Sequence, residues 1–145
     1  MSVVGGFLFS SVIEPIRMSI SATTANVNLF TLAGSPSSAR DYIFTVESGV
    51  DVYSNTYITP ALRTGVFPAG STLTLINLGR ILGGPGTGGA GNSAGSGSPG
   101  GAGGTAIQLD YSLSVDNTSG YIFGGGGGGG GGGSSGRVDT GGGGE

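Results

Sequence analysis

Cysteine, histidine, tryptophan and lysine are all missing from this chain of 145 residues. Without cysteine there are no disulfides and no thiol chemistry, and the redox compartment leaves no trace. Without histidine, cysteine or lysine the usual nucleophile–base pairs cannot be assembled, so catalysis is not expected. Charge is sparse: five arginines (Arg17, Arg40, Arg63, Arg80, Arg137) stand singly against eight acidic residues, for a net charge of −3. No basic stripe exists to neutralise phosphates, and nucleic-acid binding is not expected. A long hydrophobic run is absent too. The apolar stretch Met1–Ile13 is shorter than the roughly 20 residues a membrane-spanning helix needs. It has no positive leader, and Glu14-Pro15 stands where a signal peptidase would want small residues. It reads as an arm or strand that packs on a neighbouring chain, without membrane insertion.

Of the remaining polar groups, Asp110 and Asp116 share parity on a strand but lie too far apart along it to act together. Asp116-Asn-Thr-Ser-Gly120 has the look of a calcium loop without its bidentate glutamate, and a hairpin tip explains it better. Neither glycine run contains Gly-Lys-Ser/Thr, so no phosphate cradle and no cofactor is expected. Tyr53, Tyr57, Tyr111 and Tyr121 fit core or cross-strand positions better than a ligand platform.

Glycine dominates what is present. The first 82 residues hold seven of the 35 glycines, and the rest fall in residues 83–145. The first part is globular in character. Ile16 to Ile20 alternates apolar and polar, as a half-buried strand does. Asn26 to Ala33 suits a short helix, with Val27, Leu29 and Phe30 on one face and Gly34 as its C′ residue, although its β-leaning residues suit a strand as well. Tyr42–Glu47 and Val50–Tyr53 flank Ser48-Gly49, which has hairpin chemistry. Pro60 interrupts any central strand, Pro68-Ala-Gly70 is a turn, and Ser71–Ile76 alternates with Leu73 and Leu75 on one face. The expected fold class is mainly β: a small β-sandwich-like domain over 21–82, preceded by an arm or strand at 1–20. A glycine-rich extended region follows over 83–133, broken by a returning strand segment at 106–123, with a flexible tail at 134–145.

An internal repeat links the two halves. Leu73-Thr-Leu-Ile-Asn77-Leu-Gly79-Arg-Ile-Leu-Gly83-Gly84 matches Leu113-Ser-Val-Asp-Asn117-Thr-Ser-Gly120-Tyr-Ile-Phe-Gly124-Gly125. In both, a strand ends in an Asn…Gly turn, and three residues then lead into a glycine run. Asn77, Gly79, Asn117 and Gly120 are the candidate turn residues. Two copies alone do not make a solenoid. Two readings of the runs stay open: a disordered Gly/Ser chain, or extended glycine helices of about three residues per turn that pair amides side by side. For the second, Gly83, Gly84, Gly86, Gly88, Gly89 and Gly124 to Gly130 (Gly125, Gly126, Gly127, Gly128 and Gly129 between them) are the candidate lattice-forming residues. The first run would turn back at Asn92-Ser93-Ala94. Its glycine spacing looks irregular, against collagen.

Phe67-Pro-Ala-Gly-Ser-Thr-Leu-Thr-Leu-Ile-Asn-Leu-Gly-Arg-Ile-Leu-Gly-Gly, Gly-Thr-Gly-Gly-Ala-Gly-Asn92 and the later Tyr121-Ile-Phe-Gly with its polyglycine tract resemble glycine-rich virion proteins of tailed bacteriophages, over roughly residues 40–133. Among these are tail-fibre, tail-tip and receptor-binding adhesin proteins. The resemblance implies a sandwich of polyglycine helices with Asn92 and Ser93 in a candidate surface-contact loop facing a bacterial receptor. This chain has fewer glycine motifs and no aromatic residue in that loop. The expected function is therefore a virion structural protein on the outer surface of head or tail, as capsid decoration, collar or fibre component. A fibre-tip adhesin is the alternative, and a cellular glycine-rich surface protein is a third reading. Other virion proteins and further copies of the chain, most naturally a trimer, are the expected partners.

Overall fold

The computed structural model describes residues 13–134; of the arm or strand expected at 1–20 and the tail expected at 134–145, residues 1–12 and 135–145 lie outside the described residues, and Ile16–Ile20 is a strand of the first sheet. Eleven short strands and one helical turn follow one another along the chain. In order they are β1 (Ile16–Ile20), β2 (Thr24–Ala25), β3 (Val27–Asn28), α1 (Leu29–Leu32), β4 (Asp41–Val46), β5 (Asp51–Tyr53), β6 (Leu62–Arg63), β7 (Thr72–Asn77), β8 (Arg80–Leu82), β9 (Ile107–Gln108), β10 (Ser114–Asp116) and β11 (Tyr121–Phe123). They form three sheets, ordered β1-β4-β7-β10, β2-β5-β8-β11 and β3-β6-β9. Every pairing is parallel. The chain therefore winds as a three-sided solenoid: each of the first three turns contributes one strand to each side, the fourth contributes β10 and β11 to the first two, and successive turns stack about 4.8 Å apart.

Stacking like on like builds the core. Ile16, Tyr42 and Leu73 form one inward ladder, and Met18, Phe44 and Leu75 the next. Val52, Ile81 and Ile122 line the second side, and Val27, Leu62 and Ile107 the third. Phe44, Val46, Val52, Leu62, Leu75 and Ile81 are fully buried. Phe67 fills the interior between the sides, its ring 5.1 Å from Tyr42 and 5.4 Å from Phe30. In β4 and β7 this inward row alternates with an outward one of Asp41, Ile43, Thr45, Thr72, Thr74 and Ile76.

Of the stretch Asn26–Ala33, read as helix or strand, Val27–Asn28 is strand and only Leu29–Leu32 is helical. Asn28 caps it, its Oδ1 accepting from the Phe30 and Thr31 amides at 3.0 and 3.3 Å. Gly34 ends it at φ +78°, with the Gly34 amide donating to Thr31 O and the Ser35 amide to Phe30 O.

Three expectations require correction. The β domain is not a sandwich, because strands of one turn never pair with each other. The hairpins expected at Ser48-Gly49 and at Asp116–Gly120 are corners instead: β4 passes to β5, and β10 to β11, on different sides of the solenoid. Asp116 closes its corner by accepting from the Thr118 amide and hydroxyl at 3.0 and 2.7 Å. The repeat does mark a solenoid. Its two copies are successive turns in register, Thr74 on Ser114 and Ile81 on Ile122. The first two turns share the path without sharing the sequence.

Outside the core, Asp110 fastens one turn to the next. Its carboxylate accepts from Arg63 Nε at 3.0 Å, from the Gly65 amide at 3.2 Å and from Gln108 at 3.0 Å. The Arg63 hydrogen bond, with smaller help from Gln108, the Arg63 charge and the Gly65 amide, holds this carboxyl below its ordinary pKa against a desolvation that pushes it up. A depressed folded-state pKa stabilises above the unfolded value, and that contribution is lost as pH falls through the folded value. Asp110→Asn should therefore flatten the fall in thermal midpoint below about pH 4, read from melts across the acid range, and leave its slope above pH 6 unchanged.

Candidate functional site

At the corner between β8 and β9 the chain leaves the solenoid. Residues 83–92 run outward and residues 97–104 run back before β9 begins, and one turn later residues 124–133 run outward from β11. The three segments lie side by side and are joined by backbone hydrogen bonds at every third residue. Amides of Gly83, Gly86, Gly89 and Asn92 donate to carbonyls of Phe123, Gly126, Gly129 and Gly132 at 2.7–3.0 Å. Amides of Gly125, Gly128 and Gly131 donate to Gly104, Gly101 and Ser98, each at 2.8 Å. Amides of Ser98, Gly101 and Gly104 donate to Ala90, Thr87 and Gly84 at 2.7–2.8 Å. Each segment thus gives to one neighbour and takes from the other, closing a ring of three. The two outgoing segments are parallel and the returning one is antiparallel to both.

One column of each segment faces the other two. A Cβ added at Gly83, Gly86 or Gly89 would collide with the carbonyl of Gly104, Gly101 or Ser98. The same holds at Gly97, Gly100 and Gly103 against Gly131, Gly128 and Gly125, and at Gly125, Gly128 and Gly131 against Gly84, Thr87 and Ala90. Every residue in these columns is glycine. Pro85, Thr87, Ala90, Ser98, Pro99 and Ala102 all fall outside them. The irregular spacing expected of the first run is corrected accordingly. The period of three runs unbroken over 83–89, 97–103 and 125–131, and the turn at 93–96 shifts its frame.

Of the candidate lattice residues, Gly83, Gly86, Gly89, Gly125 and Gly128 occupy the facing columns. Gly84 sits at the root, where a Cβ would strike the Thr56 carbonyl. Gly88, Gly124, Gly127 and Gly130 have only distant neighbours at 3.6–3.9 Å, and Gly126 and Gly129 face open space. Sequence reasoning missed Gly97, Gly100, Gly103 and Gly131, and the Thr56–Tyr57 loop on which Gly84 and Gly104 rest. A frame search within each run would have found the first three. That loop is tied down by Ser54 Oγ, whose one proton lies between the carbonyls of Thr56 and Thr59 at 2.7 and 2.6 Å.

The four turn residues act together at the corner before each outgoing segment. Asn77 is fully buried, and its Nδ2 donates to Asn117 Oδ1 at 2.7 Å and to Tyr121 O at 3.1 Å. Gly120 lies against Asn77, where a Cβ would meet its Nδ2 at 2.5 Å, and Gly79 lies against the Glu47 and Val50 carbonyls. The Asn77–Asn117 pair thus stacks one corner on the next, one strand before each glycine segment begins. At the far end Asn92 and Ser93 are exposed. The Ala94 amide caps Asn92 Oδ1 at 3.0 Å, and the Ser134 amide donates to Asn92 O at 2.9 Å, so the tips of both excursions are tied together.

Tyr111 packs against the core and shares its one hydroxyl proton between the Pro68 and Ser71 carbonyls, both at 3.2 Å, while Tyr121 stacks on Phe123 with centroids 5.9 Å apart. Asp110 is held in its ion pair with Arg63 at 2.9 Å, away from Asp116. Among the described residues no three acidic side chains gather as a metal site, and no helix is long and apolar enough to cross a membrane.

Stacked parallel turns thus carry three hydrogen-bonded segments whose facing columns have no side chain and whose other positions hold glycine or small residues. The chain belongs to the phage tail fibre adhesin Gp38 family, whose model matches residues 15–145. No curated protein and no solved structure matches it. Membership makes it a tailed-bacteriophage virion protein of a structural, non-enzymatic kind, and it points to the tail rather than the head. Of the functions expected from sequence, the adhesin alternative fits this family better than capsid decoration or collar.

Proposed function

We propose that the chain is the receptor-binding part of a phage tail fibre. In this reading its solenoid is the base, and residues 83–104 and 124–133 form three packed polyglycine helices that carry the Asn92-Ser93 loop to the bacterial surface. The observation that carries the reading is the closed ring of amide bonds at every third residue. It gives stiffness to a composition that would otherwise be a tether, since ten extended residues reach about 31 Å. Contacts with other virion proteins then fall to the solenoid, and contact with a host receptor to the tip.

The test is adsorption of the purified chain to host cells and its competition with phage infection. Ser93→Arg should lower adsorption at least tenfold, the scale of about 1.4 kcal/mol or more at a contact residue, and leave the thermal midpoint unchanged. Full adsorption by Ser93→Arg would remove the tip from the binding surface. Antibody labelling of virions on the head instead of the fibres would restore the decoration reading.

A further inference from the structure

The chain has six asparagines: Asn26, Asn28, Asn55, Asn77, Asn92 and Asn117. An asparagine modifies itself when the amide nitrogen of the next residue attacks its side-chain carbonyl carbon. The attack needs an amide not held elsewhere, little bulk on the next side chain, and room to turn. Five of the six sites lack these conditions. After Asn26 the Val27 amide donates to Ala61 O at 2.8 Å, and after Asn77 the Leu78 amide donates to Val46 O at 2.9 Å. After Asn55 the Thr56 amide donates to Ser54 Oγ at 3.2 Å, and after Asn117 the Thr118 amide donates to the Asp116 carboxylate at 3.0 Å. Asn28 is followed by the fully buried Leu29, and its own Oδ1 caps α1.

Asn92 differs in each respect. It is exposed, it precedes the small and exposed Ser93, and among the described residues the Ser93 amide has no acceptor. Its Oδ1 takes the Ala94 amide at 3.0 Å, a donor set where negative charge gathers on that oxygen during the attack. Among the described residues no acceptor holds its Nδ2, the group that must leave, whereas Asn77 Nδ2 is held by Asn117 Oδ1 and Tyr121 O. We propose that Asn92 is a site of spontaneous covalent modification. The Ser93 nitrogen bonds to Asn92 Cγ and gives up its proton, and Nδ2 departs as ammonia, leaving a cyclic imide. Water then opens the ring at either carbonyl, to aspartate or isoaspartate. Both products place a negative charge at the exposed far end. Isoaspartate also reroutes the main chain through Cγ, so the carbonyl that takes the Ser134 amide at 2.9 Å becomes part of a free carboxylate. The chemistry does not rest on the adhesin reading; a loss of adsorption as the protein ages would.

The full chain is held in mildly alkaline buffer and followed by peptide mapping with mass spectrometry. Aspartate and isoaspartate should accumulate at position 92, with an equal amount of ammonia, while the other five asparagines stay intact. The rate should rise with pH, because the attacking amide must lose its proton. Ser93→Pro has no such N–H, and its Asn92 should persist. In denaturant the Thr56 and Thr118 amides are released, so modification should appear at Asn55 and Asn117 as well. Conversion of Asn92 no faster than of Asn55 or Asn117 in the folded chain would overturn the proposal, as would undiminished conversion in Ser93→Pro. The same selectivity in denaturant as in the folded chain would also overturn it, since the size of the next residue alone would then decide. Should Ser93→Pro fail to fold, the comparison of folded and denatured native chain decides by itself.

Discussion

Gly128→Ala is expected to take apart the glycine projection, while Gly129→Ala, one residue along, leaves it whole. At Gly128 the added methyl would overlap the Thr87 carbonyl and press on the Gly88 amide at 2.9 Å; at Gly129 there is nothing within 4 Å. Overpacking against backbone has no rotamer to relieve it, so the segment must shift as a unit. Shifting it breaks the bonds from Gly128 to Gly101 and from Gly89 to Gly129. Overpacking together with those hydrogen bonds amounts to about 3 kcal/mol. The ring couples all three segments, so loss is expected at a distance. Amide exchange should accelerate across residues 83–104 as well as 124–133 in Gly128→Ala and stay slow in Gly129→Ala, and cell adsorption should fall only in the former. Equal exchange in the two variants would mean that the segments are not packed against one another.

Phe44→Ala should have the largest effect on the solenoid. Phe44 is completely buried between Met18 below and Leu75 above, with Phe67 at 6.3 Å and Tyr42 at 6.2 Å. Truncating a buried phenylalanine costs about 3–5 kcal/mol, comparable with the whole stability of many small domains at roughly 5–15 kcal/mol. Chemical denaturation should show a midpoint lowered accordingly, or no folded baseline. Ile43→Ala, on the outward row of the same strand, should cost about 1 kcal/mol or less. A solenoid that tolerated Phe44→Ala as well as Ile43→Ala would have its weight in some other contact.

Strand existence was legible where strands are long enough to alternate. Ile16–Ile20 and Ser71–Ile76 announce themselves through a period of two, and Tyr42–Glu47 through its β-rich composition before Ser48-Gly49. Pairing was not legible, because a solenoid corner and a hairpin turn use the same chemistry. Gly49 at φ +79° serves either geometry. What separates them is whether the following segment folds back or turns aside, and that is decided by stacking against turns tens of residues away. Two-residue strands such as Val27–Asn28 and Leu62–Arg63 are too short to carry any period at all. Their assignment comes from register with Ile107 and Gln108.

The candidate site was legible in kind and incomplete in detail. Composition marked the glycine runs, and the Asn77 and Asn117 turns marked where they begin. The requirement for glycine at Gly97, Gly100 and Gly103 stayed hidden because the turn at 93–96 changes the reading frame between outgoing and returning segments. The role of Thr56 and Tyr57 had no local signal, since it consists of being the floor beneath Gly84 and Gly104.

The ring of amide bonds repeats after every three residues and accepts neighbours running in either direction. Lengthening all three segments by three residues would therefore preserve each contact while extending the projection by about 9 Å. Reach and foundation are thus separable traits in this protein. Insertions in multiples of three can tune how far the far end stands off, and an exposed residue there such as Ser93 can change, without a single adjustment to the stacked turns below.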